Sequence, residues 1–140
     1  IEKVVALAVL MPIVASMGGI AGTQSLTILI RAMAMGQINH RNELWLIGRE
    51  SLVGLINGLL WAAVIATTAS LWFGDPMLGV IIACAMLINL VTAGATGAGL
   101  PIALRKLQVD PALAGGVLVT TVTDVMGFLA FLGLATAFYA

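Results

Sequence analysis

The chain has 140 residues, six basic and six acidic side chains and no net charge at neutral pH. Hydrophobic residues make up 61% of it and charged ones 9%, with a mean hydropathy of +1.16. Soluble globular domains carry about a quarter charged residues, so a fold with a fully solvated surface is excluded, and the absence of any basic stripe excludes a nucleic-acid binder.

The twelve charges are separated by four long apolar runs, 4–30, 51–74, 76–104 and 111–140. Each exceeds the roughly 20 residues that cross a hydrocarbon core as helix, so the pattern predicts an all-α membrane protein, a bundle of four transmembrane spans in one domain covering 1–140. A closed barrel is the other spanning solution, but its strands alternate polar and apolar residues, which continuous runs such as 59–65 do not. A cleaved leader is short; the first run is long and carries Gly18, Gly19, Gly22 and Gln24, so it is read as part of the fold. Ile1 is not an initiator residue, and the chain is expected to be a piece of something longer.

In the first span Ser16, Gly19, Thr23 and Thr27 recur at steps of three and four and share a helical face, while Gly18 and Gly22 form a small-x-x-x-small pair that lets backbones approach. Pro12 removes a backbone hydrogen bond, and together with the glycines it predicts a kinked, weakened helix whose irregular backbone lines a cavity.

The connection that follows holds Arg31, Arg41 and Arg49, and a later one holds Arg105 and Lys106; positive charge marks both as cytoplasmic. The tail 41–50 places charges around Leu44, Trp45 and Ile47, as an interfacial amphipathic turn does. His40, with no second His or Cys nearby, reads as a solvated loop residue. In the second span Ser51, Gly54, Gly58 and Ala62 make a stripe suited to helix packing.

Phe73-Gly74-Asp75-Pro76 carries no positive charge and breaks the helix at its proline, so it is read as a tight outer hairpin. Trp72 and Tyr139 fall at the outer ends, where amphipathic rings anchor at the headgroups. This topology places Ile1 outside and predicts a preceding span. Asn89, Thr92 and Thr96 share a face of the third span and are read as interhelical hydrogen-bonding groups; Cys84, alone, is a small packing residue.

The last span holds Asp124 near the centre of its apolar run. A carboxylate there costs about 2.5 to 3.5 kcal/mol on insertion scales, and no basic residue lies at similar depth in these spans. It must be protonated, paired with a residue elsewhere, or turned to water and cations. At about 100° per residue, Gly116, Thr120 and Gly127 fall on its side of the helix, with Thr121 and Phe131 at the margins. The donors are all oxygen, which suits magnesium or protons better than zinc or copper. Magnesium keeps much of its water and is often held by one or two carboxylates, so one Asp per chain suffices if two chains share an axis. Three readings remain open at this point: a cation pathway in a homodimer, a proton-coupled or other coupled transporter, and a non-conducting structural subunit. No Gly-x-Ser-x-Gly or His-Glu-x-x-His motif supports an enzyme.

Pro12 with Met17-Gly18-Gly19-Ile20-Ala21-Gly22-Thr23-Gln24 and Arg31 resembles the second transmembrane helix of MgtE-type magnesium channels. Asn89 through Pro101, Arg105-Lys106-Leu107, Asp110-Pro111-Ala112 and Leu118-Val119-Thr120-Thr121 with Asp124 and Gly127 are similar to that family's fourth and fifth helices in order and spacing. The resemblance covers essentially the whole chain. It implies helices two to five of a five-helix pore domain in a bacterial inner or plasma membrane, forming a homodimer around a pore for Mg²⁺, the transported ion. The aspartate that holds the hydrated ion matches Asp124; Ser16, Gly18, Gly19, Ile20, Thr23, Gly116, Thr120, Thr121 and Gly127 would line the path. It also implies a cytoplasmic N-terminal domain and paired CBS modules elsewhere in the full-length protein. Two positions depart from the family pattern: Ile20 stands where Asn is usual, and Val117 where Pro commonly follows the glycine.

Overall fold

The computed structural model describes residues 2–139, with side chains from Val4 onward. The expected outer placing of Ile1 and the expected end of the last span at Ala140 lie outside the described residues. Four helices follow one another: α1 (Glu2–Ala34), α2 (Glu43–Phe73), α3 (Pro76–Lys106) and α4 (Pro111–Tyr139). Each has the length and composition to cross a membrane, and no strand occurs among the described residues. The chain is an integral, multi-pass, all-α membrane protein.

Two expectations are corrected. α1 runs as unbroken α-helix through Pro12 and all three glycines. Proline removes a single N–H, and two of the glycines are pressed against α3 and α4, where a longer side chain has no room. The tail 41–50 is no separate interfacial turn, because α2 already begins at Glu43. Its extra turns are held by Leu46 and Ile47, which pack with Leu29, Ile38, Ala98 and Ile102 at the basic end of the bundle.

α3 is the central helix. Of its most apolar window 56% is buried, against 22–28% for the others. It packs against α1, α2 and α4, while α1 and α2 barely touch. The core gathers Leu10, Val14, Ile82, Met86, Leu90 and Phe131. Between apolar helices in lipid, close packing rather than water exclusion supplies the attraction. The stripe Gly54, Gly58 of α2 serves that end: a Cβ at Gly54 would collide with the Leu90 carbonyl, and one at Gly94 with the Glu50 carbonyl.

The two ends of the bundle are tied differently. At the basic end Glu43 bridges Lys106 at 2.9 Å and Arg105 at 3.4 Å, with His40 Nδ1 3.7 Å away. This joins the α1–α2 connection to the end of α3, so both basic connections lie on one side. At the other end Gly74 takes a left-handed φ of 65° and Pro76 opens α3, the arrangement each residue favours. The Asp75 carboxylate accepts from the Met77 N–H at 3.0 Å and from the Tyr139 hydroxyl at 2.6 Å, which ties the end of α4 to the hairpin.

Candidate ion-binding groove between the first and last helices

α1 and α4 pack side by side against α3, and the outer face of their seam opens as a groove of about 550 Å³. α1 contributes Pro12, Ala15, Ser16, Gly19, Ile20 and Thr23; α4 contributes Thr120, Asp124 and Phe128. The α4 residues recur every fourth position and the α1 residues at steps of three, one, three, one and three, so each set is one stripe of a 3.6-residue helix.

Asp124 is half-buried in this groove. Among the described residues no Lys, Arg or His lies within ion-pair distance of it, and no group donates it a hydrogen bond. One of the nearby hydroxyls is oriented by its own helix. The Thr23 Oγ1 donates to the Gly19 and Ile20 carbonyls at 2.9 and 3.0 Å, which spends its proton and leaves oxygen lone pairs as acceptors. No cluster of three or more His, Cys, Asp or Glu occurs among the described residues, so the groove offers one charge among neutral oxygens.

The residues singled out by sequence divide into two sets. Ser16, Gly19, Ile20, Thr23, Thr120 and Asp124 share the groove. Gly18 and Gly127 do not line it: both turn inward onto Asn89 of α3, whose amide occupies the space a Cβ would need at either position. Gly116 lies on α4 with open space around it. Thr121 is exposed, and its hydroxyl donates to the Val117 carbonyl at 2.7 Å. Gly127 is offset from Asp124 by three residues rather than four, which rotates it from the groove into the three-helix junction.

Asn89 is the polar residue of that junction. It is fully buried, and its Nδ2 donates to the Val14 carbonyl of α1 at 2.9 Å; its Oδ1 has no partner. The Asn89 bond follows the sequence reading of α3, whereas Thr92 and Thr96, expected to bond between helices as well, make no such bond among the described residues. Phe128, one turn beyond Asp124, was absent from that reading although the i+4 spacing points to it.

Residues 11–134 match the model of the MgtE family, described as a divalent cation transporter. The chain is similar to the magnesium transporter MgtE of Bacillus subtilis, 38% identical over 99% of this chain and 31% of that protein. It is similar to the proteins of the same name from Thermus thermophilus, 36% over 96% and 30%, and Enterococcus faecalis, 34% over 94% and 29%. The chain thus spans about three-tenths of the length of these relatives.

Proposed function

The chain belongs to the MgtE family, and from that premise we propose that it forms the pore of a magnesium channel, in which two copies bring their α1–α4 grooves together around one hydrated Mg²⁺. The observation that carries this reading is the unpaired Asp124 carboxylate in a groove otherwise made of neutral oxygens and small residues. Magnesium binds its water at about 2.0–2.1 Å and gives it up reluctantly, so the ion passes with its shell. Its polarised waters are hydrogen-bond donors, and what they need from a wall is acceptors: the Asp124 carboxylate, the lone pairs of Thr23, and the hydroxyls of Ser16 and Thr120.

Two such carboxylates across an axis balance the double charge of the ion, which offsets the roughly 2.5 to 3.5 kcal/mol that each costs at membrane depth. Small residues at 15, 16 and 19 leave width for a hydrated ion. Ile20, 58% exposed at the groove, presents no hydrogen-bonding group, so on the α1 wall Ser16 and Thr23 carry the recognition. Cytoplasmic domains elsewhere in the full-length protein would gate the pore.

The complete protein should rescue growth of a magnesium-starved bacterial strain, and Asp124→Asn should abolish that rescue at equal membrane abundance. Rescue by the variant at wild-type level contradicts the reading.

A further inference from the structure

A second polar cavity lies away from the Asp124 groove, where α1 and α2 diverge and α3 forms the floor. It measures about 150 Å³ and is lined by Gln24 and Ser25 of α1, Arg49, Glu50 and Asn57 of α2, and Leu90 and Gly94 of α3, among others. Glu50 is 5% exposed and Ser25 6%. Gln24, Ser25, Glu50 and Asn57 all lack a hydrogen-bond or ion-pair partner among the described residues. The nearest cation in sequence, Arg49, lies with its guanidinium over the Trp45 ring, 5.7 Å from the centroid, and makes no ion pair with Glu50. Four polar side chains thus line one space without a protein partner, Ser25 and Glu50 as buried residues, Asn57 half-buried and Gln24 at the exposed mouth.

The Glu50 backbone carbonyl fills the place of a side chain at Gly94, which fixes this turn of α2 against α3 and leaves the carboxylate on the side of α1. Seven residues from the start of α2, it lies about 10 Å along the helix, short of the bilayer centre and within reach of water. The donor set is one carboxylate, two amide oxygens and one hydroxyl, all hard oxygen ligands. At about 30 Å³ per water, the space admits an ion with part of its hydration shell.

We propose that this cavity is a second divalent-cation site, in which Glu50 supplies the charge and Gln24, Ser25 and Asn57 supply oxygens to the ion or to its retained waters. It is separate from the Asp124 groove and does not depend on it. Ile20 lines both that groove and a neighbouring cavity of about 300 Å³ that shares Gln24 and Asn57 with this one, so the α1–α2 gap continues toward the groove.

Mn²⁺ bound to the complete protein in lipid nanodiscs, counted by electron paramagnetic resonance, tests this. Glu50→Gln is expected to lose about one Mn²⁺ per chain, and to lose the same increment again in an Asp124→Asn background. Asn57→Leu, which keeps the carboxylate but removes an amide oxygen, is expected to weaken that class of sites at least about tenfold, and it serves if Glu50→Gln does not yield monodisperse protein. Unchanged Mn²⁺ binding in Glu50→Gln, or in Asn57→Leu where the former does not fold, overturns the proposal. A failure of the pore reading shows differently, as an Asp124→Asn protein that binds as much Mn²⁺ as the wild type.

Discussion

Asn89 and the two glycines around it show how a single side chain can decide a packing junction. The amide stands where a Cβ at Gly18 or Gly127 would be, and it bonds the Val14 carbonyl across to α1. Gly18→Ala therefore forces the amide out of its seat, and overpacking of this kind typically costs about 1–3 kcal/mol. Thermal melts of detergent-solubilised protein should show that loss. Gly116→Ala, with nothing within 4 Å of the added methyl, should stay within about 0.5 kcal/mol of wild type. Equal effects of the two substitutions would contradict the described junction. The sequence marks both glycines as members of polar or small-residue stripes. It does not say which face of a stripe meets a neighbouring helix and which meets a groove, because a helix offers both within 60° of rotation, and the position of α3 decides between them.

At the scale of the elements, the four spans and their order are legible because each is an apolar run longer than a bilayer needs. Their ends are not, since the residues that extend them are charged and become helical only through partners distant in sequence. α2 reaches back to Glu43, where Arg105 and Lys106 at the end of α3 meet that carboxylate and add to the packing of Leu46 and Ile47. Glu43→Gln should accordingly lower the melting temperature, and the gap from wild type should narrow as salt rises, since screening weakens the charge contribution. A salt-independent gap would point to packing instead. At the opposite end, Tyr139→Phe removes the hydroxyl that donates to Asp75. A hydrogen bond to a charged group contributes about 1.5–3 kcal/mol, so this variant should melt lower and should expose the end of α4 to faster hydrogen exchange. The same logic explains the continuity of α1, where glycines that weaken an isolated helix instead admit α3 and α4 at close range.

For the whole molecule, the recognised motifs locate the chain in its family, and its central helix, grooves and cavities follow from how α3 gathers the other three. Asp124 was legible as an anomaly of composition; its wall was legible in part, through the spacing of Ser16, Gly19, Thr23 and Thr120. What sequence left open was the use of the open side of the groove. If a second copy covers it, Ile20→Cys in a Cys84→Ser background should form an intermolecular disulfide on mild oxidation in native membranes, visible as a dimer band that reductant removes, and no such band should form from a cysteine placed at Leu71 on the exposed face of α2. The central claim, that a single carboxylate per chain carries hydrated magnesium through a dimeric pore, is tested most directly by current recordings on membrane patches holding the complete protein with Mg²⁺ as the permeant cation. The account predicts passive inward current in the wild type that follows the magnesium gradient, persists without a proton gradient and disappears in Asp124→Asn; current of wild-type size in that variant, or transport that stops when the proton gradient is removed at constant voltage, would contradict it.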